Sequence, residues 1–457
     1  MKYIKNKYFF TGLAVFYLIL IFAPNKPIYF SAFLVAAYFF YLATKNIKSS
    51  LIYTLILSVF SEIGLAGSLF LLEPHDIYGA SGYWISPMSV ISFLLLILSL
   101  SDRLKSIHLA DKFTLLFFIW ITLIYLIYPY SNSFFGFLSI AEVLLMYYLL
   151  RLHLTKKDIQ PLSTLFISMI FFQTVISLLQ IVVQQPLVIP QGLYQTDSTG
   201  DLYFTIEEES LFRVNGTFSH PNFLATFILS FSPFLFYLKS GKLLSYIKPF
   251  LLIVLIFTFS RIAWLLSIVQ LFIWLIFRPL RTERFMKFLK RKNYVSILSY
   301  ILVILIISPL LLIRLESVPE AFEEFGSVAV RKKTIQEALA IIANNQIFGI
   351  GLNRSLETYV NTPATDLFSN IKPSSFYKIH NTFLEIASEI GLPGTLIFIL
   401  FLFFIWRYYK KNNVDEFLQK AALIGLLEFV GMSLFNPFFH AFAFRFFYLF
   451  AALVLLT

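Results

Sequence analysis

Apolar runs of membrane-crossing length recur from one end of this chain to the other. A helix needs roughly 20 such residues to span the hydrocarbon core. The runs lie near 9–23, 27–44, 51–72, 84–101, 113–129, 134–151, 161–183, 218–238, 243–259, 261–278, 294–313, 381–406, 420–436 and 438–456. Inside lipid every backbone polar group must be bonded within the protein, which leaves helices or a closed barrel. Barrel strands are short and alternate in polarity, whereas these runs are continuous. The expected fold class is an all-α polytopic membrane protein of about 12–14 transmembrane helices.

The short connections sort by charge. MKYIKNK, TKNIKSS, SDRLKSIHLADK, RLHLTKKD, LKSGKLLSYIK, RPLRTERFMKFLKRKN and RYYKKNNVDEFLQK fall on one side. APNKP, EPHDIYGASG, PYSNS, the 184–217 segment, FSRIA, the 314–380 loop and FNPFFH fall on the other. The positive-inside bias places the first set, with both termini, in the cytoplasm. The net charge of +11 therefore reports topology, not affinity for nucleic acid. The apolar run after Lys7 lacks a small-residue cleavage site and reads as the first span rather than a signal peptide. The expected organisation is N-terminal helices over 1–183, an outward loop over 184–217, central helices over 218–313, a large outward loop over 314–380 and C-terminal helices over 381–457.

This layout limits the chemistry. There is no cysteine, so no thiolate nucleophile or Cys-ligated metal exists. No P-loop, strand-borne GxGxxG or Asp-x-Asp motif occurs. The inward loops are too short for a catalytic domain, and no internal repeat of a transporter is evident. The chemistry is expected at the outer face, without nucleotides.

The first outward loop carries Asp197, Asp201 and Glu207 to Glu209, an acidic run that reads as a solvated face. It ends in LFRVNGTFSHPNFLA. Asn215-Gly216-Thr217 is a turn signal, and Pro221 suits a first helical turn. In the bland reading His220 is merely interfacial at a capped helix start. In the functional one, Arg213 and the free N–H groups of the new helix form an anion site. Arg261, in the tight FSRIA turn, either snorkels to headgroups or points into that site. Glu62, Glu142, Glu428 and Arg445 lie within apolar spans, where the bland reading is structural pairing inside the bundle, and Glu428 with Arg445 is one candidate pair.

In the large loop Ile335, Ala338, Leu339 and Ile342 recur at helical spacing over Arg331 to Gln346, an amphipathic helix suited to the membrane surface. Its basic start opposes the helix dipole and invites an anion at Arg331. Phe348-Gly349-Ile350-Gly351 is a tight turn whose glycines allow positive φ or close backbone approach. Arg354 follows. Lys378-Ile379-His380-Asn381 leads into the next span, where Asn381, Glu385 and Glu389 share one face. His380 titrates near neutral pH and can accept a proton from a hydroxyl, although a lone interfacial histidine is more often structural.

RVNGTFSHPNFLA, FSRIAWL, RKKTIQEALAIIANNQIFGIGLN and HNTFLEIASEIGLPG, in that order between apolar spans, resemble the bacterial O-antigen ligase/polymerase family over about 205–410. The resemblance implies a C-type glycosyltransferase architecture in the bacterial cytoplasmic (inner) membrane. It implies a glycan on undecaprenyl pyrophosphate as donor, a glycan acceptor, and neither metal nor other cofactor. It assigns Arg213 and Arg331 to the pyrophosphate, with Arg261 as a third cation, and His380 as base or orienter of the acceptor hydroxyl. Asn222, Asn381 and Glu389 match the family pattern and shape the site. His220 and Arg354 complete the candidate substrate-binding residues. Displacement inverts the anomeric centre. The expected reaction is polymerisation of lipid-linked repeat units. Ligation of finished chains to lipid A core or another acceptor is the alternative, and transport of the same lipid-linked glycans the different-class one. Flippase and chain-length regulator proteins are the partners implied.

Overall fold

The computed structural model describes residues 6–22, 26–60, 85–102, 107–187, 203–206, 209–237, 242–277, 327–355, 379–412 and 417–456. Among these are fourteen α-helices. In chain order they are α1 (Asn6–Phe22), α2 (Lys26–Thr44), α3 (Ile47–Ser58), α4 (Pro87–Leu98), α5 (Leu109–Ile127), α6 (Ser131–His153), α7 (Ile159–Val183), α8 (Pro221–Tyr237), α9 (Lys242–Phe257), α10 (Arg261–Phe277), α11 (Ser327–Asn344), α12 (Thr382–Lys411), α13 (Phe417–Ser433) and α14 (Phe444–Val454). Every one except α11 falls on an apolar run of the sequence. Five, namely α2, α5, α6, α7 and α12, are long and apolar enough to cross a membrane, and most of the others are shorter apolar helices. The protein is an all-α polytopic membrane protein. The run at 294–313, Glu62, Asp197, Asp201, Glu207 and Glu208 lie outside the described residues.

Two short strands interrupt the helical pattern. β1 (Tyr203–Ile206) pairs antiparallel with β2 (Glu209–Phe212), Tyr203 opposite Phe212 and Ile206 opposite Glu209. This hairpin delivers the chain to Arg213.

A helix apolar on all sides belongs in the middle of a bundle. Apart from Arg445, α14 is such a helix, and every residue from Phe444 to Val454 is buried. Phenylalanine supplies most of the packing around it. Phe60 of the α3 end meets Phe227, Phe231 and Phe446 at centroid distances of 5.3, 4.9 and 5.5 Å. Such offset and edge-on contacts add to the area the rings bury.

Arg445 of α14 pairs with Glu142 of α6 at 3.3 Å, not with Glu428 as the sequence suggested. The reason is satisfaction of the carboxylate. Glu142 also accepts hydrogen bonds from the hydroxyls of Ser86 (2.5 Å) and Ser89 (2.6 Å) at the start of α4. A buried ion pair is tolerated only when its remaining lone pairs are met in this way. Glu428 is buried on α13, and its Oε2 has no hydrogen-bond partner among the described residues.

α12 is broken near its start. Gly391 has φ 74° and ψ 174°, a conformation open only to glycine. Pro393 has no N–H, so the break leaves several backbone groups without helical partners. The loop after α11 meets them. Ile350 N–H donates to Ser388 O (3.0 Å), Gly351 N–H to Glu389 O (3.0 Å), and Leu392 N–H to Gln346 O (2.8 Å). Trp120 Nε1 of α5 donates to Ile390 O at 2.9 Å. Non-helical backbone at membrane depth persists only where protein satisfies it, as here. Gly349, at φ 66°, crosses so close that a Cβ would lie 2.4 Å from the carbonyl carbon of Glu389.

α11 packs on α12. The amphipathic helix is present, but its buried stripe is Thr334, Ala338 and Ile341, while Leu339 is 53% exposed. Helical spacing puts Arg331 on that same inward stripe.

Candidate functional site

Three turns and one loop helix bring cations together. After the hairpin, Val214 N–H donates to Phe257 O (3.0 Å) and Arg213 Nε to Thr258 O (3.1 Å), which ties the Arg213 strand to the end of α9. The chain then reverses through Phe259, at φ 51°, and Arg261 opens α10. Arg331 lies close enough to Arg261 for the two guanidiniums to oppose one another's charge. Burial, and then Arg261, lower the pKa of Arg331. The Nε of Arg331 is buried with no hydrogen-bond partner among the described residues.

His220, in the turn before α8, lies in the field of this group. Burial, followed by the charges of Arg213, His380 and Arg331, pushes its pKa down from 6.5 to about 3. Its Nδ1 accepts the N–H of Asn222 at 3.0 Å, so the neutral ring carries its proton on Nε2. A neutral imidazole in the fold takes up a proton only on unfolding, so stability is full above pH 6.5 and declines as pH falls from there towards 3. We expect the melting temperature to fall over that acid range and the slope to flatten in His220→Gln. Equal slopes in wild type and variant would show that His220 is not held neutral.

The two asparagines beside these residues hold the helix mouths. Asn222 donates to Asn436 Oδ1 at 3.0 Å. Asn381 caps α12, its Oδ1 accepting from Phe383 and Leu384 N–H at 3.0 Å, and its Nδ2 donates to Leu434 O at 3.1 Å. Both therefore lock the turn between α13 and α14 against the helix starts that follow His220 and His380.

Glu389 and Arg354 are engaged elsewhere. Glu389 is fully buried and its Oε2 meets His440 Nε2 at 2.5 Å and the N–H of Asn353 at 2.7 Å. Arg354 lies over the ring of Tyr130, 3.9 Å from its centroid. His440 has no motif around it that points to this pairing. Its only sequence signal is a lone histidine in an expected outward turn.

Arg213, His220, Arg261, Arg331 and His380 thus form one electropositive group, contributed by segments far apart in the chain. With three arginines that stay charged and a neutral N–H donor, its chemistry fits a multiply charged anion such as a phosphate or pyrophosphate.

Comparison with curated proteins gives no match. A family model described as O-antigen ligase matches residues 249–399, a stretch holding Arg261, Arg331, Arg354, His380, Asn381 and Glu389. Over residues 249–399 the chain is therefore similar to the O-antigen ligase family, which supports a place in the O-antigen ligase/polymerase group.

Proposed function

We propose that the chain is a polysaccharide polymerase at the outer face of the bacterial cytoplasmic membrane. It takes glycan from an undecaprenyl-pyrophosphate-linked donor and adds it to a lipid-linked acceptor unit. The observation that carries this reading is that the charges of Arg213, His380 and Arg331 all act on His220. In the reaction an acceptor hydroxyl oxygen attacks the anomeric carbon from the face opposite the pyrophosphate. The bond from that carbon to the pyrophosphate oxygen breaks, and the configuration inverts. Negative charge grows on the leaving lipid pyrophosphate, where the guanidiniums of Arg213, Arg331 and Arg261 are pre-organised to meet it. The hydroxyl proton passes to His380. The Nε2–H of His220 donates to a phosphate oxygen, a neutral donor that adds no repulsion among the cations.

Glycan length in a strain lacking the protein tests the reaction. Single lipid-linked units should accumulate, and long polymer should return with wild type but not with His380→Ala. Long chains that persist on their lipid carrier would overturn polymerisation in favour of ligation. Units stranded on the inner face would mark a flippase.

A further inference from the structure

Glutamines within an apolar helix are costly unless their amides are fully bonded. α7 carries two that are completely enclosed, Gln173 and Gln180, 4% and 0% exposed, and a third, Gln184, at its C-cap. Their spacing of seven and four residues sets them on one face of the helix. All three reach the segment that bears Arg213. Gln180 Oε1 accepts the N–H of Asn215 (3.2 Å) and of Gly216 (2.9 Å), and its Nε2 donates to Gly216 O (2.8 Å). Gln173 Oε1 accepts the N–H of Thr217 (3.1 Å), and its Nε2 donates to the Thr217 hydroxyl (2.5 Å). Gln184 Oε1 accepts the N–H of Phe212 at 3.3 Å.

The backbone is therefore gripped at 212, 215, 216 and 217, on both sides of Arg213 and just ahead of His220. Val214 N–H to Phe257 O and Arg213 Nε to Thr258 O tie the same segment to the end of α9, so the α7 glutamines hold it from the opposite side. We infer that Gln173 and Gln180 are positioning residues of the anion site. They set where Arg213 and His220 present their donors to a lipid-linked pyrophosphate. The inference rests on the reading of that site given above. It adds a function for α7, which lies wholly outside the family-matched residues.

A buried glutamine also needs partners for purely structural reasons, and the chain contains a control for that. Gln419 of α13 is equally enclosed, at 3% exposure, and donates to Val454 O (3.0 Å) and Leu456 O (2.8 Å), carbonyls at the C-terminal end of α14.

The test is binding of a long-chain polyprenyl pyrophosphate to the full-length protein in detergent, read as ligand-dependent thermal stabilisation. Gln180→Leu should weaken binding by about tenfold, the equivalent of one or two lost hydrogen bonds at a positioned donor. Gln180→Glu keeps the two accepted bonds and should recover part of the loss. Gln419→Leu should lower the melting temperature of the free protein yet bind as wild type does. If Gln180→Leu does not accumulate, Gln173→Leu is read in the same way. Wild-type affinity in the α7 variants would overturn the positioning role alone. A wild-type protein that polyprenyl pyrophosphate does not stabilise would overturn the anion site, and this inference with it.

Discussion

Arg331→Ala should lose glycan transfer by about two to three orders of magnitude while the protein accumulates and melts at or above the wild-type temperature. The two halves of that expectation have one cause. Arg331 sits on the inward stripe of α11, partly desolvated and next to Arg261, and both circumstances oppose its charge. Its buried Nε has no acceptor among the described residues. A guanidinium held this way costs the resting fold stability, so its removal relieves strain rather than creating it. Functional sites commonly trade stability for activity in this manner. Once a lipid pyrophosphate binds, the same charge has its counter-ion, and it stabilises the leaving group as the bond breaks. Arg331→Lys should restore little, because a point charge cannot grip two phosphate oxygens at once. Transfer rate and thermal melting of the same purified variants check both halves. Near-normal transfer in Arg331→Ala would remove it from the pyrophosphate site. Lost transfer with a lowered melting temperature would make it a structural residue.

What was legible in the sequence follows from how far each interaction reaches. Membrane-spanning helices declare themselves locally, because lipid demands an uninterrupted apolar run, and every described helix but α11 lies on such a run. Gly349 and Gly351 were legible as a turn, since positive φ is a local property. Arg213, Arg331 and His380 were legible as types, by chemistry and by resemblance. Their meeting was not, because it depends on turns that bring segments far apart in the chain to one place. The partner of Arg445 failed for the same reason. A neighbouring span supplies Glu428, but the bundle supplies Glu142, 303 residues away in the chain. The apolar positions of α11 outline a broad face, and only packing on α12 selects Thr334, Ala338 and Ile341 from it. Gln180 reads as a stray polar residue in an apolar run. Its role lies in a backbone 35 and 36 residues downstream.

Gly391→Ala should be strongly destabilising for so small a substitution. Alanine at φ 74° and ψ 174° is strained by about 1–3 kcal/mol from the backbone alone. In addition, its Cβ would lie 2.1 Å from Ile347 O and 3.0 Å from Gln346 O. Neither oxygen can swing aside like the tip of a side chain. Moving them away would pull on the bonds that Gln346, Ile350 and Gly351 make to the break. Those bonds are what hold the end of α11 to the start of α12. The stitch therefore sets the distance between Arg331 on one helix and His380 at the mouth of the other. The melting temperature should fall by several degrees, and the protein that remains folded should transfer glycan poorly, because the cations and the base are no longer in register. Gly431→Ala is the fitting comparison. The nearest contacts of a Cβ there are with the flexible side chain of Leu266, at 3.0 Å and beyond, with no unusual backbone angle to maintain. It should stay near wild type in both measurements. Melting of Gly391→Ala no lower than that of Gly431→Ala would mean that the break is not held as the hydrogen bonds indicate. A lowered melting temperature with full transfer in the folded fraction would separate the stitch from the site, leaving it a device of stability alone.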